Sequence, residues 1–323
     1  MTFDSKAAAV TTLKPHTMPR RRATAVVFAA ALALVAPRRA RADFAVRNFT
    51  GPTDAEMVYN GVASVVLADE SAETFSLRIT PASAHATGSS FAREKQLVVG
   101  GFVSDFAFRI TNDPTVEVPC DGVDHASDTC SRRGGDGFAF VIQNNAEKAM
   151  GGGGGQLGYG GLRNCIAVEF DTYHDAEARD PYHNHVAVMT RGPKAPALST
   201  HATSIGASVD VPNLSDGERH YVRIVYNPMF VPEDAMHKSF KSSAYLLDLM
   251  RDYKHGLGTL KVFVDNLAVP VLTVPINIAA FMDLDNGRAW IGFTASTGRS
   301  MQNHDVSSFT FRERVVGLEA VVS

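Results

Sequence analysis

The sequence has no long apolar run, little cysteine and, once its N-terminus is set aside, no surplus of basic charge. The apolar stretch from Ala23 to Pro37 falls short of the roughly 20 residues that a comfortable membrane-spanning helix needs. A charged fraction of 20% with mean hydropathy near zero excludes both gross disorder and a polytopic membrane protein. Three cysteines in 323 residues fit an oxidising compartment only loosely. The net charge of −3 conceals an asymmetry, because the first 42 residues hold eight Lys/Arg against Asp4. Removing them leaves 23 basic and 33 acidic residues, a net charge of −10. Such a body does not attract nucleic acid or an anionic membrane surface; it suits cations. No segment repeats at a fixed period, and nothing marks a second domain.

The N-terminal 1–42 segment reads as a targeting signal. Arg20, Arg21 and Arg22 precede the apolar stretch, and Ala40-Arg41-Ala42 offers a small-residue cleavage site before Asp43. Initiation at Met18 in place of Met1 would give a signal of ordinary length. A secreted or secretory-lumen protein is the expectation. Retention of the stretch as a membrane anchor, or import into an organelle, are the other readings it admits. Cys120 and Cys130 flank a Gly/Asp/Ser-rich loop, so a disulfide is expected to close it, contributing about 2–3 kcal/mol. Cys165 opens an apolar strand and reads as a buried free thiol. Asn48 and Asn213 each begin an N-glycosylation sequon.

Beyond the signal, short β-prone runs alternate with turn residues. They are Val62 to Leu67, Gly101 to Ile110, Gly137 to Gln143, Cys165 to Thr172, His185 to Thr190, His220 to Tyr226, Thr259 to Asp265, Val269 to Val274, Ala289 to Ala295 and Val306 to Phe311. Many short strands of this kind predict an all-β sandwich or jelly roll. The apolar spacing from Asp234 to Tyr253 is helical and marks an insertion over about 228–257. The glycine-dense stretch Gly151 to Gly161 lacks the Lys-Ser/Thr of a phosphate loop, so it reads as a backbone that approaches a ligand closely or as a long turn.

The block from Glu169 to His185 carries the chemistry. Alternation would set Glu169, Asp171, Tyr173 and Asp175 on one side of an extended segment, with Val168, Phe170 and Thr172 on the other. Carboxylates crowded on one face are costly unless cations sit among them. The block therefore reads as a metal site.

Four blocks in this order resemble the legume-type (L-type) lectin domain. They are Gly135 to Phe140, the glycine loop ending Gln156-Leu157-Gly158, Ala167 to His185, and Trp290 to Gly298 with His304-Asp305-Val306. The resemblance implies a concanavalin A-like jelly-roll sandwich of antiparallel sheets over 43–317, with one partly helical insertion and a short tail at 318–323. It implies Ca²⁺ and Mn²⁺ as paired cofactors, with Asp171, the Tyr173 carbonyl, Asp175 and Asp180 supplying the hard oxygens that calcium takes. Glu169, Asp171, Asp180 and His185 would give the transition ion its carboxylates and one imidazole, so Asp171 and Asp180 are shared. It also implies a carbohydrate pocket formed by Asp136, which follows a cis peptide bond, by the Gly155 amide, by Asp175, and by a wall that includes Arg299 and Ser300. Tyr159 and Tyr182 are candidates for the aromatic that stacks on the sugar. Glycans or glycoproteins are the implied partners, and the family's sheet pairing admits a homo-oligomer.

One departure bears on function: the family pattern has Asn where Asp175 stands. A carboxylate still ligates calcium but cannot donate a hydrogen bond to a sugar. A lectin fold that has lost sugar binding is therefore one alternative. A glycoside hydrolase is another, because jelly-roll glucanases use Glu-x-Asp-x-Glu on one strand. Here Tyr173 replaces the second Glu, so the acid/base partner is missing. No catalytic residue is assigned.

Overall fold

The computed structural model describes residues 44–46, 49, 56–69, 74–112, 134–230, 233–234 and 257–314. The targeting segment, Asn48, Cys120 and Cys130, and the tail at 318–323 lie outside the described residues. So does most of the expected helical insertion, between Asn227 and Gly258. Asp234, where that helical pattern begins, is buried, accepts a 2.6 Å hydrogen bond from Thr259 Oγ1 and pairs with Lys261.

Among the described residues, sixteen strands form two antiparallel sheets, as the turn-punctuated pattern predicts. In chain order β1 is Phe44–Val46, β2 Met57–Gly61, β3 Ser64–Asp69, β4 Thr74–Thr80, β5 Thr87–Ala92, β6 Gln96–Leu97, β7 Phe102–Thr111 and β8 Gly137–Gln143. They are followed by β9 Cys165–Asp171, β10 His185–Thr190, β11 Ser204–Ser208, β12 Arg219–Asn227, β13 Gly258–Val264, β14 Leu272–Ile276, β15 Arg288–Ser296 and β16 Asn303–Glu313. The back sheet runs β14-β13-β12-β7-β16-β4-β3, with β1 added to β16. The front sheet runs β11-β10-β9-β8-β15-β5-β2, with β6 added to β15.

Two apolar layers explain the sequence pattern. Between the sheets, Phe106 packs edge-on against Phe138, Phe170 and Phe293 and stacks on Phe140. Aromatic pairs in these geometries stabilise beyond their buried area. A second, smaller core lies on the other face of the front sheet, where Leu157, Tyr159 and Leu162 cover Ala139, Ala167 and Ala187. Strands β8, β9 and β10 are therefore buried on both faces along their full length. Cys165 belongs to this layer, where burial pushes its thiol up to about 12. It is a packing residue.

Candidate metal centre and carbohydrate cleft

The central strands place the acidic block by register. Glu169 on β9 lies between Ala139 on β8 and Ala187 on β10, while Asp171 lies between Gly137 and His185. The small neighbours Ala139, Ala187 and Gly137 leave room above the sheet for the two carboxylates and the imidazole. Strand β9 ends at Asp171, so the expected alternation holds for Glu169 and Asp171 but not beyond. Tyr173 and Asp175 reach the site through a turn. The Tyr173 amide donates to Asp171 Oδ1 at 2.8 Å, and the Asp175 amide donates to Asp180 Oδ2 at 2.8 Å. Asp175 Oδ1 in turn accepts from the amides of Glu177 and Ala178, which fixes the loop that returns to Asp180.

Ligand atoms of Asp171, Asp180 and His185 lie within 4.8 Å of one another, and all three residues are buried. His185 Nδ1 is directed to the Tyr182 carbonyl at 2.8 Å, which leaves Nε2 turned inward, 3.5 Å from Glu169 Oε1 and without a hydrogen-bond partner. Burial, aggravated by Glu169 and Asp180, holds the Asp171 carboxyl well above its ordinary range. Burial likewise pushes Asp180 up to about 6. Burial opposes a charge on His185, yet Glu169 and Asp180 together outweigh it and raise the imidazole. A carboxylate-rich, buried donor set with one orphaned imidazole nitrogen fits a divalent cation.

The cleft residues converge beside this cluster. The Gly135–Asp136 peptide is cis, as the resemblance implies. Asp136 is held at both ends, its amide donating to the Ser296 carbonyl and its own carbonyl accepting from Thr172. Its Oδ2 is buried without a hydrogen-bond partner. Burial, together with the charge of Asp175, pushes this carboxyl up to about 7. Three glycines make the approach possible. A Cβ on Gly155 would lie 3.0 Å from Asp175 Oδ2, one on Gly298 3.2 Å from Asp136 Oδ2, and one on Gly135 3.2 Å from the Tyr173 side chain and 3.4 Å from Ser300. Asp136, Gly155, Asp175 and Ser300 are thus brought together. Arg299 is exposed in the adjoining loop.

Tyr159 is not the sugar-stacking aromatic that its position suggests. It is fully buried and donates to Glu169 Oε2 at 2.7 Å. Burial and Glu169 hold its phenol well above the ordinary value, so it stays a donor. Tyr182 is 36% exposed and keeps the surface such a contact requires. Asn213 is exposed at the start of its sequon, with its Oδ1 accepting from the Ser215 amide. A cleft of about 680 Å³ on the outer face of the back sheet, lined by Arg78, Arg109, Arg219 and Asp305, shares no residue with this site.

A jelly roll of two antiparallel sheets with a buried acidic cluster beside a cis-Asp cleft is the architecture of concanavalin A-like lectins. The chain belongs to the legume lectin domain family, whose model matches residues 41–319. Among solved structures it resembles lectin II from Ulex europaeus, with a TM-score of 0.55 at 19% identity over 83% of this chain and 97% of that one. It also resembles the exoplasmic/lumenal domain of VIP36 in a Ca²⁺/Man-bound form, with a TM-score of 0.53 at 13% identity over 83% and 86% of the two chains. A probable L-type lectin-domain containing receptor kinase S.7 of Arabidopsis thaliana is 26% identical over 183 residues, 55% of this chain. That match spans only 23% of the kinase.

Proposed function

We propose that this protein is a metal-dependent lectin that binds glycans without catalysis. The observation that carries this reading is the buried cluster of Asp171, Asp180 and His185 next to Asp136, whose Oδ2 lacks a partner. Bound Ca²⁺ and a transition ion such as Mn²⁺ would neutralise the buried carboxylates and fix the loop from Tyr173 to Asp180. Asp171, the Tyr173 carbonyl, Asp175 and Asp180 would hold calcium; Glu169, Asp171, Asp180 and His185 would hold the transition ion. Asp136 then accepts from sugar hydroxyls, while the Gly155 amide donates. A side chain at 155 would block that approach. Ser300 and Arg299 border the cleft. The secretory lumen or the extracellular space is the proposed location, and glycans or glycoproteins are the proposed partners. Among the described residues no helix is long and apolar enough to cross a membrane.

A glycan array tests this directly. Retention is expected with Ca²⁺ and Mn²⁺ present, and loss of retention with a chelator, with no sugar released. Absence of retention on any glycan in the presence of both ions would remove the reading in favour of a module that keeps the fold alone. Hydrolysis would indicate an enzyme.

Asp175 supports a sharper test. Its Oδ1 is committed to the Glu177 and Ala178 amides, and its Oδ2 faces Gly155. Asp175→Asn keeps the first oxygen and turns the second position into a donor. One gained hydrogen bond of roughly 1.4 kcal/mol corresponds to about tenfold tighter binding. Titration calorimetry with the best array ligand should record that gain. Equal or weaker affinity would show that the missing donor does not limit binding.

A further inference from the structure

Glu169 divides its two oxygens between two different neighbours. Oε2 accepts the Tyr159 hydroxyl at 2.7 Å, and Oε1 lies 3.5 Å from His185 Nε2. Glu169 is 1% exposed and Tyr159 is fully buried, so no solvent competes for either oxygen. A carboxylate tied in this way cannot rotate freely about its terminal bond. The oxygen directed at His185 is fixed by the oxygen that the phenol holds.

Tyr159 also belongs to the glycine loop that carries Gly155. Its amide donates to the Gln156 carbonyl at 3.1 Å, and its carbonyl accepts from Leu162 at 3.0 Å. The amides of Gly151 and Gly152 donate to the carbonyls of Gly158 and Gly160, which closes the loop around Tyr159. From the other side, Thr294 Oγ1 donates to the Leu157 carbonyl and Ser296 Oγ to that of Gly154. The ring itself packs in the small core with Leu157, Leu162 and Ala167. A phenylalanine would satisfy that packing equally well. The hydroxyl adds only one thing, its bond to Glu169.

We propose that Tyr159 is a positioning residue that aims Glu169 at the transition ion and links that ion to the glycine loop bearing Gly155. The role rests on the metal reading given above and extends it beyond the ligands. Outer partners of this kind orient a ligand, and losing one typically weakens metal binding by about 10- to 100-fold. Calcium takes no atom from Glu169 in that assignment, so its affinity depends on Tyr159 only through the shared Asp171 and Asp180.

The test uses the full chain stripped of metal and titrated with Co²⁺ as a spectroscopic stand-in for the transition ion. Tyr159→Phe should bind Co²⁺ about 10- to 100-fold more weakly, with a shifted visible spectrum, while Ca²⁺ affinity changes far less. A role confined to packing would leave the spectrum unmoved. Wild-type protein provides a second readout that needs no variant: Mn²⁺ should slow hydrogen exchange across 151–160 beyond the effect of Ca²⁺ alone. Matching Co²⁺ affinity and spectrum in the variant would overturn the role of Tyr159 while leaving the metal reading standing. Unchanged exchange across the loop with Mn²⁺ would overturn the link to Gly155. Wild-type protein that takes up no Co²⁺ would sink the metal reading and this role together.

Discussion

Metal-stripped protein is expected to lose several kcal/mol of unfolding free energy as pH rises from about 4 to about 7, and to recover it when Ca²⁺ and Mn²⁺ are restored. The cause is a set of carboxyl groups whose folded environment disfavours their charge. Asp180 is pushed up to about 6 and Asp136 to about 7, from ordinary values near 4. At about 1.4 kcal/mol for each tenfold change in acidity, Asp136 corresponds to about 4 kcal/mol and Asp180, partly screened by solvent, to less than about 3 kcal/mol. Asp171 is raised in the same sense. The contributions are not additive, because ionising one of these groups makes the next harder to ionise.

In the unfolded chain each of these carboxyls releases its proton near pH 4, whereas in the folded chain Asp180 keeps it until about 6 and Asp136 until about 7, and Asp171 is shifted in the same direction. Between those values the folded state binds more protons, so raising the pH favours unfolding. His185 acts with the same sign. Its raised pKa lends stability at low pH that is lost as pH climbs through its folded value. Bound cations invert the slope, because they require the carboxylates ionised and the imidazole neutral. Urea denaturation at four pH values, with chelator and with both ions, measures the two slopes. Stability of the stripped protein that rises over this window would contradict the account.

The sequence made the chemistry legible where residue type and register coincide. The bounds of β8 and β10, Gly137–Gln143 and His185–Thr190, follow from apolar runs ended by turn residues. Strands β5 and β11 escape a β-prone pattern because Thr87–Ala92 and Ser204–Ser208 are built mostly from small residues. Their size has a physical reason in at least two places. A Cβ on Gly88 would lie 2.0 Å from the Ile79 carbonyl oxygen, and one on Gly206 would lie 2.3 Å from the Val274 side chain. Close approach, not β-propensity, selects residues there. The six proposed ligands follow from the resemblance to the family at these positions, but the route of Asp175 into the site does not follow from the sequence. A period of two describes a strand, and the strand stops at Asp171. Tyr159, one of two candidates for the aromatic that stacks on a sugar, sits in a glycine-rich stretch whose sequence does not show its depth. The loop instead folds over the front sheet and buries the ring against Glu169, a contact between residues ten positions apart that no local pattern encodes.

Replacing Asp136 by Ala should abolish glycan retention while the protein keeps its full complement of metal, because Asp136 is assigned to the sugar and not to either ion. Two charge-assisted hydrogen bonds to sugar hydroxyls, at about 1.5–3 kcal/mol each, account for a loss exceeding about 100-fold. The same substitution removes a buried carboxylate whose Oδ2 has no partner and whose pKa is pushed up to about 7. Metal-stripped Asp136→Ala protein should therefore be more stable than wild type above pH 7, and the two should converge towards pH 4. Asp136→Asn separates charge from shape. It retains the volume of the side chain and one acceptor oxygen, so it should show the same gain in stability with a smaller loss of binding. Glycan affinity, metal content and denaturation at pH 7.5 are measured on the same preparations. If the Asp136→Ala protein bound glycan as wild type does, the pocket would lie elsewhere. If it bound nothing but also lost its metals, Asp136 would belong to the ion site. Weaker sugar binding combined with a firmer stripped fold is the outcome that only an unpaired, ligand-facing carboxylate produces: its charge opposes folding and is retained for what it binds.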